Sequence, residues 1–202
     1  AQRLLGERAT RRHDRPARAA KAVGVIATTP RLLVIPLTAL MPIEIEDANR
    51  FLVDVVKHRL GACERPFRQE AYAIEVDELM VSVAISASAV SDTILDENGT
   101  EFNRTQLVEL ARLGSAPHFS WASRVMIRLW REVCGPRYNP WTPKLAISYS
   151  QNAHHKGDLY RFDGWTKVRE NAGSNGGGAW SRKRYAGDAH YGAKTLWLWR
   201  YP

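Results

Sequence analysis

The segment from Ala71 to Val90 constrains the fold more than any other part of the chain. Small polar and apolar side chains alternate along Met80-Val81-Ser82-Val83-Ala84-Ile85-Ser86, which is the period of a strand with one buried face. Asp77 and Glu78 separate this run from the apolar run Ala71–Val76 at the spacing of a two-residue turn. The pattern therefore predicts an antiparallel hairpin of Ala71–Val76 with Leu79–Val90.

Strand and helix signals on both sides of this hairpin extend it into a mixed sheet. Helices are predicted from Ile43 to a stop at Gly61, over Trp121–Val133, and for one or two turns within His155–Phe162. Further strands are predicted at Arg31–Leu40, Thr105–Leu113, Lys144–Tyr149, Trp165–Val168 and Leu196–Tyr201. The turn Asp96-Glu97-Asn98-Gly99 should lead into Thr105–Leu113 and complete a three-stranded meander. The predicted class is α/β, in the sense of a mixed α+β sheet with helices on its faces.

Composition and charge limit the organisation of the chain. The sequence has 202 residues, 45% of them hydrophobic, which suits one domain with one core. The first 24 residues carry seven Arg or Lys side chains against two acidic ones, and so five of the eight net positive charges. We therefore expect a basic, flexible arm over residues 1–24, either contacting phosphates or simply solvated, and a single domain over 25–202.

Several classes of protein are disfavoured by the same sequence. The apolar stretch from Arg31 to Ile45 is broken by two prolines and a glutamate, well short of the roughly 20 residues of a membrane span. Cys63 and Cys134 stand alone, without the spacing of a zinc site or a disulfide framework. The expectation is a cytoplasmic protein without a structural metal.

The break between Thr105–Leu113 and the following helix is a predicted phosphate-binding position. Unpaired N–H groups and the positive dipole end make a helix start attractive to a pyrophosphate. Gly114 would permit close approach, Ser120 would cap the helix, Trp121 and Ala122 would supply main-chain amides, and Ser123 and Arg124 would add polar contacts. The alternative is that Ser120 caps an ordinary helix, a position where serine is common.

The strand Lys144–Tyr149 is followed by Asn152, then by Leu159-Tyr160, then by Gly164-Trp165. This arrangement resembles the second cofactor motif of the GNAT acyltransferase superfamily, written N…lYeklGF. The resemblance implies a GNAT-like fold and an acyltransferase that uses acetyl-CoA or another acyl-CoA-like donor and an amine acceptor. It implies that Asn152 and Tyr160 flank the donor thiol, and that the preceding strand-turn-helix unit binds the pyrophosphate. The phosphate signature itself has only one glycine here, Gly114.

A second resemblance covers Glu109-Leu110-Ala111-Arg112-Leu113, Ala116-Pro117, Ser123-Arg124, Ile147-Ser148-Tyr149 and His155-Lys156-Gly157. These segments are similar to the motifs of Mom-like phage DNA-modification proteins, with Ser150 where an aspartate is frequent. The resemblance implies modification of adenine in DNA, with a DNA base as the acceptor. A third possibility is a module that keeps the fold, binds nucleic acid and has lost catalysis.

Acyl transfer to an amine needs a base for the amine proton and an acid for the leaving thiolate. Tyr160 is the candidate acid, because a phenol is protonated at neutral pH; alternatively, it is a core tyrosine. Glu109 is the preferred base, the alternative being a surface glutamate or a partner of Arg112. His155 and His154 are further candidates for proton transfer, or exposed side chains.

The segment from Trp180 to Tyr185 interleaves aromatic and cationic side chains, a combination that can stack on bases and neutralise phosphates. Arg182, Lys183 and Arg184 are therefore candidate nucleic-acid-binding residues. A solvated basic loop beside a buried tryptophan accounts for the same pattern.

Overall fold

The computed structural model describes residues 38–65, 67–139, 141–170 and 193–202. The strands in these ranges are β1 (Thr38–Ile43), β2 (Gln69–Val76), β3 (Leu79–Ala87), β4 (Thr93–Leu95), β5 (Glu101–Asn103), β6 (Leu107–Ser115), β7 (Leu145–Gln151), β8 (Thr166–Arg169) and β9 (Lys194–Arg200). Seven of them form one sheet in the order β1-β2-β3-β6-β7-β9-β8, and β4 pairs with β5 separately. Within the large sheet β6 and β7 are parallel and the other neighbours antiparallel. The predicted mixed, mostly antiparallel sheet is confirmed.

Three α-helices accompany the sheet in the described part of the chain: α1 (Ile45–Arg50), α2 (Ala122–Leu129) and α3 (Asp158–Phe162). α1 continues into a π-helical turn at Phe51–Val55, and α2 into a π-helical turn at Trp130–Cys134. No helix of the described residues combines the length and apolarity that crossing a membrane requires.

The predicted hairpin is present as β2 and β3. Asp77 and Glu78 form its turn with φ values of +49° and +66°, which are the positive values that both central residues of a type I′ turn adopt. The register pairs Val76 with Leu79, shifts by one residue at a bulge between Ile74 and Glu75, and then continues to Gln69 opposite Ala87. The turn and the bulge together therefore set which face of the sheet each side chain of the hairpin occupies.

Two layers of side chains cover the sheet. On one face α2 and the turn after it pack on the central strands through buried residues that include Ala122, Met126, Ile127, Trp130, Ala84, Val108 and Leu110. On the other face α1 and its π-helical extension pack on β2 and β3 through Ala48, Phe51, Leu52, Ala73, Val83 and Ile85. Because the two faces have separate clusters, a side chain on β6 points to α2 or to α1 according to its position.

Three element predictions are corrected by the structure. Ile43 does not begin the first helix, because it ends β1 opposite Ala71, and that helix stops well before Gly61. The part of the predicted strand Arg31–Leu40 that precedes Thr38 lies outside the described residues. The Asp96–Gly99 turn does not lead directly into the third strand, because Asp96 accepts hydrogen bonds from the amides of Asn98 and Thr100 and closes the β4–β5 hairpin.

Candidate active site

The parallel strands β6 and β7 separate part-way along their length. Their register pairs Leu107–Leu110 with Leu145–Ser148 and goes no further. β6 nevertheless continues to Ser115 along β3, and β7 continues to Gln151 along β9. The two strands therefore diverge beyond Leu110 and Ser148 and leave a wedge in the middle of the sheet, which we call the strand split.

A β-bulge stands at the point of divergence. Leu110 pairs with Ser86 and Arg112 with Ile85, so Ala111 is an extra residue on β6. Such a residue bends its strand and increases the local twist. The bulge accounts for the turn of β6 away from β7.

Ser148 and Tyr160 occupy the apex of the strand split. The buried Ser148 hydroxyl donates to the Leu110 carbonyl at 2.9 Å, where the ladder between the two strands ends. Its oxygen lies 2.9 Å from the Tyr160 hydroxyl. Since the single proton of Ser148 goes to Leu110, Tyr160 donates in the second bond. Tyr160, the predicted acid, is thus a hydrogen-bond donor at the apex of the split, and its catalytic role stays a prediction.

The Tyr160 ring is fixed by aromatic neighbours. It stacks on Trp197 with ring centroids 5.6 Å apart and meets Trp165 edge-on at 5.5 Å. Gly157, at φ +75°, allows this packing, because a Cβ there would lie 2.1 Å from the Trp197 ring. Burial raises the pKa of Tyr160, and the Glu109 charge raises it further, against the Ser148 hydrogen bond that lowers it. The hydroxyl is therefore protonated at neutral pH.

An ion pair holds the segment that carries Tyr160 against the helix layer. Arg131, from the turn after α2, donates to Asp163 at 2.8 Å, and Trp165 donates to the same carboxylate at 3.0 Å. Asp163 directly follows α3, so the contact fixes this helix. The position of the Tyr160 hydroxyl is thus set by packing and by charge.

Glu109 lies on the opposite face of β6 from the Leu110 side chain, because consecutive strand residues alternate. It is 3% exposed and accepts a hydrogen bond from Arg65 at 2.5 Å and from the Val90 amide at 3.4 Å. Burial raises the pKa of Glu109, whereas Arg65, the Val90 amide and Arg112 lower it. The glutamate predicted as the base is therefore a buried carboxylate, and its partner is Arg65 instead of Arg112.

The loop after α1 covers this face of the split. Arg112 on β6 is buried and donates to the carbonyls of Gly61 and Ala62 at 3.5 and 3.4 Å. Arg59 in the same loop lies 3.1 Å from His154, in the turn after β7. The loop therefore has contacts on both sides of the split.

The start of α2 differs from the prediction. Ser120 does not cap the helix, because it is helical itself, at φ −56° and ψ −27°, and follows a 3-10 turn at Pro117–Phe119. The residue before the helix is Trp121, without a side-chain cap, and Ala122 is the first helical residue. The Ser123 hydroxyl lies 2.7 Å from that of Ser115 and so ties α2 to the end of β6. Arg124 is exposed above the Phe162 ring.

Gly114 also has a role other than the one expected. It lies inside β6 opposite Val83, before the turn to α2. A Cβ at Gly114 would stand 2.8 Å from Leu52 Cδ2 and 3.1 Å from Val56 Cγ1. The glycine therefore lets α1 and its extension approach the sheet, and its part in binding a phosphate stays a prediction.

Asn152 and His155 follow β7 in an exposed turn. The Asn152 side chain accepts a hydrogen bond from Thr195 at 2.8 Å, which directs its oxygen to β9. His155 is close enough to His58 for its charge to lower the pKa of that ring. Arg182, Lys183 and Arg184 lie outside the described residues.

Two residues of the site, Arg65 and Ser148, were not predicted from the sequence as site residues. Arg65 is 44 positions from Glu109, so only the fold brings the pair together. Ser148 was part of a motif but received no role; a serine between apolar residues of a buried strand is the signal that a main-chain carbonyl or ligand needs its hydroxyl.

No family model and no curated protein matches the sequence. Solved structures do match. A variant of spermidine N-acetyltransferase from Vibrio cholerae shares the fold with a TM-score of 0.51 over 81% of this chain and 93% of that one, at 10% identity. The chain has the fold of the GNAT acetyltransferases.

Two further structures give the same result. NAA60 from Arabidopsis thaliana, in complex with a bisubstrate analogue, matches with a TM-score of 0.52 over 82% of this chain and all of that one, at 13% identity. A Bacillus subtilis acetyltransferase in complex with CoA matches with a TM-score of 0.51 over 82% of this chain and 100% of that one, at 9% identity. The predicted GNAT-like fold is confirmed, whereas the Mom-like resemblance rests on the sequence pattern alone.

Proposed function

We propose that this chain is an N-acyltransferase that moves an acyl group from acetyl-CoA, or another acyl-CoA, to an amine. The observation that carries the proposal is the strand split with the Tyr160 hydroxyl at its apex, 2.9 Å from Ser148. Two structures of this fold are complexes with CoA and with a bisubstrate analogue, which supports an acyl-CoA donor here.

The donor would enter the split from the face that carries α2 and α3. The main-chain amides around Trp121, Ala122 and Ser123 begin α2 after the 3-10 turn that follows β6, and such amides, with the helix dipole, favour a pyrophosphate. Arg124 and Arg128 are exposed on the first turns of α2 and can add charge-assisted contacts. Asn152 would lie on the far side of the split, at the end of β7.

The thioester carbon of the donor would then lie in the strand split, where groups on both faces of the sheet can reach it. An amine reaching it from the α1 face attacks the carbonyl carbon and forms the amide bond as the carbon–sulfur bond breaks. Glu109 takes the amine proton, directly or through a water molecule, and Tyr160 protonates the thiolate. The base and the acid would lie on opposite faces of β6. The two proton transfers would therefore take place on opposite sides of the reacting carbon.

His155 remains a second candidate base. It lies in the exposed turn after β7, whereas Glu109 is on the strand that lines the split and is shielded from water. Burial favours Glu109, since a carboxylate with a raised pKa is a stronger base than an ordinary one.

The direct test is the release of free CoA from acetyl-CoA in the presence of a panel of amines, with the acylated product identified by mass spectrometry. Calorimetry with CoA measures donor binding separately. We expect binding and amine-dependent thiol release. Failure of both acetyl-CoA and CoA to bind at millimolar concentration would exclude the proposed donor.

A further inference from the structure

The Glu109 carboxylate has an excess of cations around it. Arg65, Arg112 and Lys194 all favour its ionised form. Arg65 is its ion-pair partner, 2.5 Å away and 21% exposed. Arg112 forms no ion pair with a carboxylate of the described residues; its guanidinium donates to the main-chain carbonyls of Ala111, Gly61 and Ala62.

The charge of Arg112, which forms no ion pair with a carboxylate of the described residues, is buried. Arg112 is 8% exposed and Glu109 3%, so water screens the group weakly and its field is stronger than at the surface. A buried guanidinium without a counter-charge is costly, and native proteins normally pair it with a carboxylate or an anionic ligand.

Neighbouring groups respond to the same positive field. Desolvation and the charge of Arg112 lower the pKa of His58 to about 4. Arg112 and Arg65 also oppose the increase that burial imposes on the pKa of the Cys63 thiol. Both groups lie in the loop after α1, so the positive field reaches the loop that covers the α1 face of the strand split.

We infer that the acceptor is a small amine bearing an anionic group, a carboxylate or a phosphate, which Arg65 and Arg112 bind while the amine faces Glu109. The inference rests on the proposed function, since it concerns the acceptor of the same site. Guanidinium groups suit both anions, because their planar N–H groups match paired oxygens. An anion here would also neutralise Arg112 and compete with Glu109 for Arg65, which frees the carboxylate to take a proton.

The same charges disfavour a polyamine. A second ammonium group on the acceptor would approach Arg112 and Arg65 in a partly buried site, where like charges repel strongly. Acceptor choice therefore separates this inference from the general proposal of amine acylation.

The experiment compares acceptors that differ only in the anion. Glycine is paired with glycinamide, and phosphoethanolamine with ethanolamine; spermidine is the cationic acceptor. The donor is acetyl-CoA, and rates are referred to the fraction of free amine. We expect kcat/KM at least tenfold higher for the anionic member of a pair, and spermidine the poorest acceptor.

Variants test the assignment to residues. Arg65→Gln should lower the anionic-to-neutral ratio of kcat/KM about tenfold, with the KM for acetyl-CoA unchanged. Arg50→Gln removes an exposed arginine paired with Asp47 on α1 and should leave the ratio unchanged.

The outcomes separate the two proposals. Acylation of neutral amines or of spermidine with equal or better kcat/KM overturns the inference and leaves the proposed function in place, and so does acylation of DNA alone. If no amine is acylated, the proposed function fails. The inference is then tested by the thermal stability of the protein with CoA, measured with phosphoethanolamine and with ethanolamine. Greater stabilisation by phosphoethanolamine that is lost in Arg65→Gln supports the inference, and equal stabilisation by the two compounds overturns it.

Discussion

Tyr160 combines two tasks, since its ring packs and its hydroxyl holds a proton at the strand split. Tyr160→Phe separates them: the stack on Trp197, at 5.6 Å, is retained and the hydrogen bond to Ser148 is lost. We expect kcat for acyl transfer to fall about 100-fold or more, with unchanged binding of acetyl-CoA and a loss of about 1 kcal/mol in the free energy of unfolding.

Tyr72→Phe is the matched control. Its hydroxyl donates to Glu70 at 3.1 Å, on β2 and away from the split, so the variant should have a similar stability cost and normal kcat. Equal losses of kcat in the two variants would show that Tyr160 acts through stability alone.

His58 makes the fold sensitive to acid. Its pKa is about 4 in the native state against 6.5 for an ordinary histidine, with Arg112 and His155 as the charged neighbours. The unfolded chain therefore binds a proton first as the pH falls, so native stability is lost in that direction. We expect about 2 kcal/mol of this loss between pH 7 and pH 5 to depend on His58.

The measurement is denaturant unfolding of wild type and His58→Asn at both pH values. The variant should lose less stability on acidification, and the difference between the two proteins removes the contribution of Glu109, whose raised pKa acts with the opposite sign. His118→Asn, at an exposed position, should behave like wild type. An unchanged pH dependence in His58→Asn would contradict the assignment.

At the scale of elements, the packing of α1 and its π-helical extension against the sheet depends on a glycine in β6, Gly114. Gly114→Ala would place a methyl group 2.8 Å from Leu52 Cδ2, in a core where Leu52 is fully buried. We expect overpacking to reduce the free energy of unfolding by about 1 to 3 kcal/mol, measured by chemical denaturation.

Leu52→Val tests the mechanism of that loss. Alone it removes buried volume and destabilises; combined with Gly114→Ala it relieves the clash. The double variant should therefore be more stable than the sum of the single changes predicts, by about 0.5 kcal/mol or more. Additive effects would mean that Gly114 contributes through its backbone alone.

The elements that the sequence predicted correctly are those that depend on residues close together in the chain. The Asp77-Glu78 turn and the alternation in β3 specify the hairpin without reference to the rest of the chain. The start of α2 was misjudged because Ser120 suits a cap by composition, whereas Pro117 begins a 3-10 turn that carries Ser120 into helical geometry.

The sequence predicted Tyr160 and Glu109 as residues of the site, but it did not predict the long-range contacts of the site. Tyr160 and Glu109 follow from motif position and strand placement, although their catalytic roles stay predictions. The strand split depends on the ladder ending at Leu110 and Ser148, and the Arg65 contact on a loop that crosses the sheet. Neither has a local sequence signature.

For the molecule as a whole, the sheet keeps the site open. Beyond the apex, β6 pairs with β3 and β7 pairs with β9; we call these two diverging strand ends the arms of the split. Because each arm is paired on its outer side, the wedge does not depend on a bound ligand. A donor that enters it should protect amides on both arms and stabilise the native state by mass action, about 2.7 kcal/mol at 100 times its Kd.

Hydrogen exchange followed by mass spectrometry can locate that protection. With acetyl-CoA we expect slower exchange in residues 111–123, which run from the bulge through the start of α2, and in residues 149–152 at the end of β7. The β1–β2 ladder lies at the far edge of the sheet and serves as the internal control, with unchanged exchange. Tyr160→Phe should show the same protected segments, because the hydroxyl acts on the thiolate and the main chain binds the donor. Protection confined to β1 and β2, or spread evenly over the sheet, would place the donor elsewhere than in the strand split.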